Sequence, residues 1–259
     1  MTMITSKPVS GEGTPHVRRQ TATLWPWLMM FGRITMFASV QAVFALLFFL
    51  TGSTSPWETS ANWWPFTVFI TNVIYLILLV QIFRAEGNRY WDIFRFHREH
   101  VKGDLLTLLI LTAVMAPVSY LPNILLGQWL FGSPEATLDL FVRPLPLWAA
   151  YASIILFSAT QGMVEIPTYF GYVMPRFEKQ GITKWIAISL PAILLGLQHL
   201  ASPLLFDIRF ITWRGLMFIP FGFLVGIVMH WRPRLLPYIA IIHALMDMSL
   251  ATMLLSVTY

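Results

Sequence analysis

Residues 64–83 read WPFTVFITNVIYLILLVQIF, a run of twenty residues that contains no charged side chain. About 20 consecutive apolar residues in an α-helix are enough to cross the hydrocarbon core of a bilayer. This segment therefore predicts a transmembrane helix.

Six further runs of similar character lie on either side of this segment. Together the seven predict an all-α, polytopic transmembrane helical bundle. The expected spans are Leu24–Leu50, Trp64–Phe83, Leu105–Leu130, Leu145–Tyr172, Ile186–Phe206, Leu216–Met229 (which could begin near Phe210) and Leu235–Val257.

The composition agrees with a membrane protein and limits the possible chemistry. Of the 259 residues, 57% are hydrophobic and only 11% are charged, and the mean hydropathy is +0.67. Soluble domains carry about 25% charged residues, so much of this apolar surface must face lipid. The chain has no cysteine, which excludes disulfides, thiolate metal sites and a cysteine nucleophile.

The chain divides into a tail and one integral domain. Residues 1–20 are polar, and the opening Met1–Thr5 resembles a vector-encoded leader, so we expect no cleavable signal peptide here. Residues 21–143 are expected to form the first transmembrane helices, and residues 144–259 form the part that carries the candidate functional motifs.

The basic residues alternate between the two ends of the predicted spans. The N-terminus and the second, fourth and sixth connections hold 13 of the 17 Lys and Arg residues, whereas the opposite side holds only Arg143, Arg209 and Arg214. Arg33 lies within the first span. By the positive-inside rule we expect a cytoplasmic N-terminus and an external C-terminus. The net charge of +5 therefore reports topology, and we expect no nucleic-acid partner.

Four ionisable residues fall inside the last four spans. Glu165 lies in the fourth span, His199 in the fifth, and His243 and Asp247 lie four residues apart on one face of the seventh. Such groups are costly in a bilayer and are candidate functional residues by default. Carboxylate and imidazole side chains can share a proton and activate a water molecule.

Two other interpretations of these residues stay open at this stage. A single histidine in a membrane often serves only as an interhelical hydrogen-bond partner, and we expect this of His230 at the end of the sixth span. The same residue types also build proton or ion relays. Transporters commonly show repeated halves, and no repeat is visible here.

Three short motifs resemble a known family. They are EIPTYFGY at Glu165–Tyr172, LGLQH at Leu195–His199 and HALMD at His243–Asp247. In order and spacing they are similar to Glu-Glu-x-x-x-Arg-Gly-Tyr, Phe-x-x-x-His and His-x-x-x-Asn/Asp. These are motifs of the CPBP intramembrane proteases, also called the CAAX-protease and bacteriocin-processing or Abi family, which is related to type II CAAX prenyl endopeptidases. The resemblance covers about residues 144–250.

The first motif departs from the family pattern at two positions. Ile166 stands where a second Glu is usual, and Phe170 stands where Arg is usual. A gapless alignment places Glu165 on the first, catalytic Glu. A one-residue gap would instead place Glu165 on the second Glu and Val164 on the first.

The resemblance implies hydrolysis of a peptide bond inside or at the face of the membrane. Glu165 and His199 would activate water, His243 would stabilise the oxyanion, and Asp247 would position His243 or contact the substrate. The preferred reading needs no cofactor. Alternatively, Glu165, His199 and His243 could hold a zinc ion as three ligands with one open position.

Three functions stay open from the residues and the resemblance together. The first is an intramembrane endopeptidase that acts on a peptide or membrane protein. The second is a non-proteolytic immunity or scaffold protein of the same fold, which the changes at Ile166 and Phe170 favour. The third is a small transporter. In each case we expect an integral protein surrounded by membrane lipid, in a bacterial cell membrane.

Overall fold

The computed structural model of the protein describes residues 15–258. Most of the predicted tail 1–20, including Lys7, lies outside the described part of the chain. Within residues 15–258 every regular element is helical, and there is no strand. The predicted all-α class is confirmed.

Seven helical stretches in the described residues are long and apolar enough to cross a membrane, which confirms the predicted number of spans. They are Thr23–Leu50, Trp64–Ala85, Tyr90–Phe131, Leu147–Lys179, Lys184–Ala201, Ile208–Trp231 and Pro233–Ser256.

Several of these stretches combine an α-helix with shorter or irregular turns. The α-helices of residues 15–258 are α1 (Pro15–Leu50), α2 (Pro56–Asn62), α3 (Trp64–Ala85), α4 (Val101–Phe131), α5 (Glu135–Phe141), α6 (Leu147–Ile166), α7 (Met174–Lys179), α8 (Lys184–Gln198), α9 (Ile208–Leu216), α10 (Ile219–Trp231) and α11 (Leu236–Thr258).

The fourth span is continuous but distorted in its middle. Pro167 has no N–H to donate to the carbonyl of Met163 four residues earlier, so the regular α-helical pattern cannot continue there. The chain forms a π-helical segment from Pro167 to Val173, and the hydroxyl of Tyr90 donates to the Met163 carbonyl instead. Single-turn π-helical segments often occur at functional sites, and Glu165 immediately precedes this one.

The predicted end of the fourth span is wrong, because the helix continues through α7 to Lys179. Glu165 therefore lies 14 residues before the basic end of its span, and His199 lies 15 residues after Lys184, which begins the fifth. At 1.5 Å per residue these depths are about 21 and 22 Å. The two side chains therefore lie at about the same depth in the bundle.

The helices α6 and α11 pack against each other along much of their lengths. They approach closely at Gly162, where an added Cβ would lie 2.6 Å from the Ala240 carbonyl oxygen and 2.8 Å from the Ala244 Cβ. Small residues allow transmembrane helices to approach in this way. This contact lies one turn from Glu165 and His243, so it sets the distance between the two functional helices.

We expect Gly162→Ile to separate α6 from α11 and to lower both stability and any activity that needs Glu165 beside His243. Overpacking of this kind costs about 1–3 kcal/mol, which thermal unfolding in detergent micelles would measure. Gly103→Ile is the matched control, because no atom lies within 4 Å of a Cβ built there. Equal losses of stability in the two variants would contradict the close packing.

Two buried apolar clusters fill the bundle. One includes Val164, Ile166, Phe170 and Leu195, and the other surrounds Trp64, Phe157 and Trp213 with apolar residues of several helices. The two residues that depart from the family motif, Ile166 and Phe170, are therefore core residues, with exposed fractions of 0% and 1%.

Candidate active site

The carboxylate of Glu165 lies at the centre of the four ionisable residues that the sequence singles out. Only 1% of this residue is exposed. Its Oε2 atom is 3.1 Å from His243 Nε2, and its Oε1 atom is 3.5 Å from His199 Nε2. Three different spans thus bring one carboxylate between two imidazoles.

The position of His199 is set by the last turn of α8. Its Nδ1 atom lies 2.8 Å from the carbonyl oxygen of Leu195. Because a carbonyl only accepts hydrogen bonds, Nδ1 carries the proton, and in the neutral ring Nε2 is left as an acceptor. The ring also packs against Phe218, with centroids 4.2 Å apart. A lone pair on His199 therefore faces the carboxylate of Glu165 across 3.5 Å.

The seventh span contributes His243 and Asp247. The Nε2 atom of His243 lies between two carboxylates, 3.1 Å from Glu165 Oε2 and 3.4 Å from Asp247 Oδ2. The closer contact has hydrogen-bond geometry, whereas Asp247 Oδ2 is buried without a hydrogen-bond partner. His243 therefore donates to Glu165, and Asp247 lies beside it with an oxygen to spare.

A cavity of about 160 Å³ opens next to these side chains. One part of its wall is formed by the four ionisable residues. The rest is mainly apolar, with a single hydroxyl from α4. These other lining residues are Ser119, Leu195, Phe218, Phe221, Met246 and Leu250.

Two glutamines that the sequence patterns did not single out contact the carboxylate. Gln198 Nε2 donates to Glu165 Oε1 at 2.6 Å, and Gln161 Nε2 donates to Glu165 Oε2. Gln198 immediately precedes His199, and Gln161 lies one helical turn before Glu165. Both could have been found from the sequence by their position, because each lies within one helical turn of a predicted site residue.

The remaining intramembrane histidine lies elsewhere. His230 Nδ1 is 2.7 Å from Glu178 Oε1 at the end of the bundle, and His230 does not line the cavity. This hydrogen-bond contact agrees with the structural role expected of it.

The three-ligand zinc site considered from the sequence stays a hypothesis. Across residues 15–258 no group of three or more His, Asp or Glu side chains is placed to hold a metal ion. Both oxygens of Glu165 accept hydrogen bonds from side-chain amides. His243 Nε2 donates its proton to the same carboxylate, so a metal ion that bound there would have to displace this proton.

The comparison with protein families gives one match, and it confirms the resemblance read from the motifs. Residues 146–249 match the family described as type II CAAX prenyl endopeptidase Rce1-like. All four candidate residues lie inside the matched segment. No curated protein and no solved structure matches the chain.

Proposed function

Because its C-terminal segment matches a family of prenyl endopeptidases, we propose that this membrane protein hydrolyses a peptide bond with water activated by Glu165 and His199. The observation that carries the proposal is a buried carboxylate held between two imidazoles at the wall of a cavity. A candidate base must lie within hydrogen-bond reach of the group that it deprotonates, directly or through one water.

The first step is deprotonation of the nucleophile. A water molecule in the cavity beside Glu165 and His199 donates a hydrogen bond to the carboxylate, and the imidazole helps to hold it. Its oxygen lone pair is free to attack the scissile carbonyl carbon. As the new C–O bond forms, Glu165 takes the proton of the water. No covalent intermediate with the protein is needed, in keeping with a chain that has no cysteine.

The second step stabilises the charge that develops on the carbonyl oxygen. Protonation makes Glu165 a weaker acceptor, and the Nε2–H of His243 then becomes available to the oxyanion, where a donor of this kind is most effective. Asp247 lies 3.4 Å from this nitrogen, and its carboxylate keeps the proton of His243 on Nε2. Glu165 finally returns the proton to the leaving amine as the C–N bond breaks.

The apolar lining of the cavity favours a substrate segment with apolar side chains, which lose little when they are removed from water. Phe218, Phe221 and Met246 contribute an apolar wall beside the polar group, so an apolar side chain next to the scissile bond would fit there. Incubating the purified protein with a panel of membrane peptides, and comparing it with Glu165→Gln, tests this function.

We expect peptide cleavage to persist after treatment with EDTA or 1,10-phenanthroline, because the proposed mechanism needs no Lewis acid. The rate should stay within about twofold of the untreated protein, when measured by mass spectrometry of the products. Loss of cleavage that added Zn²⁺ restores would contradict this step and favour the three-ligand zinc site.

A further inference from the structure

Arg33 lies in the first span, far in sequence from the matched segment, and is fully buried, with 0% of its surface exposed. Its guanidinium lies over the rings of Tyr75 and Phe37, at 5.1 and 5.2 Å from their centroids. A buried cation in a membrane span needs a partner. Arg33 has no direct contact with a carboxylate among the ion pairs of the described residues.

The partners of Arg33 are two carboxamides on other helices. Its Nε atom donates to Gln198 Oε1 at 2.6 Å, and its Nη2 atom donates to Asn72 Oδ1 at 3.0 Å. Asn72 lies in α3, inside the uncharged run 64–83.

Each of these amides is also connected to Glu165 by hydrogen bonds, one directly and the other through a further glutamine. Gln198 Nε2 donates directly to Oε1 at 2.6 Å. Asn72 Nδ2 donates to Gln161 Oε1 at 2.7 Å, and Gln161 Nε2 donates to Glu165 Oε2. The five side chains form a closed ring that joins α1, α3, α6 and α8.

The direction of every hydrogen bond in this ring is determined by its two ends. Arg carries only donors, and an ionised Glu carries only acceptors. Each amide between them must therefore turn its oxygen toward Arg33 and its nitrogen toward Glu165. The two branches donate to different oxygens of the carboxylate. They therefore fix the orientation of its plane and also stabilise its negative charge.

From this geometry we propose that Arg33 is the positioning residue of the site: through Gln198, Asn72 and Gln161 it compensates the buried charge of Glu165 and orients its carboxylate. The part of this inference that concerns catalysis rests on the proposed peptidase function. The ring itself does not. Arg33 also supplies a cation from another helix. Position 170, where the family motif usually has Arg, holds a buried Phe.

A thermal double-mutant cycle tests the ring without any need for a substrate. Arg33→Met in the wild-type background leaves the carboxylate uncompensated, and we expect Tm in detergent micelles to fall by roughly 10 °C. In the Glu165→Gln background there is no anion to compensate, so the same change should cost less than half as much. Equal shifts in the two backgrounds would overturn the inference.

Arg176→Met is the matched control for this cycle. Arg176 pairs with Glu86 at 2.5 Å and belongs to neither branch of the ring. Its loss should lower Tm equally in both backgrounds. If Arg33→Met yields no folded protein, recovery of folded protein in Arg33→Met/Glu165→Gln supports the ring. If both fail to fold, the same cycle is run with Asn72→Leu, which cuts one branch, and additive shifts then overturn the inference.

Kinetics test whether the ring positions the base. Arg33→Met should lower kcat by about 10²-fold, as expected for a misplaced catalytic group, with KM within about threefold. Added guanidinium should restore at least tenfold, which a purely structural loss would not allow. Folded Arg33→Met with wild-type kcat would overturn the positioning role. The thermal cycle could show coupling while no wild-type sample cleaves any peptide. That result would support the ring and reject only the peptidase proposal.

Discussion

Glu165→Gln is expected to lower the rate of peptide cleavage by 10²–10⁴-fold, because it removes the general base. The change keeps the size of the side chain and one carbonyl acceptor. One of the two glutamine amides that donate to the carboxylate would lose its acceptor, so Tm should fall by a few degrees while the protein stays folded. Initial rates with a cleaved membrane peptide, and unfolding curves of the same samples, measure both effects.

The same variant separates an enzyme from a binding protein. An immunity or scaffold protein of this fold needs the shape of the site and has no use for its base. In cells where deletion of the protein has a clear phenotype, Glu165→Gln should then behave like the wild type. A folded Glu165→Gln variant with a full wild-type phenotype would contradict the peptidase proposal and favour the binding function.

His199→Ala is expected to produce a loss of the same order as Glu165→Gln, because the two side chains act on one water. The combined variant should be little slower than either single variant, since residues that act as a unit give non-additive losses. Cleavage rates of the two single variants and the double variant, at saturating peptide, provide the comparison.

His230→Ala is the matched control for this experiment. His230 lies in the next span and pairs with Glu178 at the end of the bundle, outside the cavity, so its removal should leave the cleavage rate close to wild type. Multiplicative losses in Glu165→Gln/His199→Ala would show two independent contacts in place of a shared water.

The span count was predictable because it depends on a local property of the sequence. Runs of about 20 apolar residues, such as 64–83, identify helices whatever their neighbours are. The end of the fourth span was not predictable in this way. Pro167 signals a disturbed helix, but it does not say whether the chain stops or continues through a π-helical turn. That outcome depends on Tyr90 of another span, whose hydroxyl donates to the Met163 carbonyl. The orientation of the bundle in the membrane stays a prediction from its basic residues.

The candidate site was predictable to the extent that its residues are costly in a membrane. Glu165, His199, His243 and Asp247 each stand out because ionisable groups are rare in spans, and the structure brings them together around one carboxylate. Their catalytic roles stay predictions. The amide ring was not predictable, since Gln and Asn are less conspicuous and the bond from Arg33 to Gln198 joins residues 165 positions apart.

The most direct measurement is mass spectrometry of peptide products formed by the purified protein in water enriched in ¹⁸O. A panel of membrane peptides is incubated in parallel with the wild-type protein and with Glu165→Gln, in buffer that contains a chelator. We predict that the wild-type protein generates a new C-terminal carboxylate that carries one ¹⁸O atom from water, and that Glu165→Gln generates almost none. Absence of new termini with folded wild-type protein across the panel, or equal amounts from both proteins, would contradict the proposal that Glu165 activates water for peptide hydrolysis.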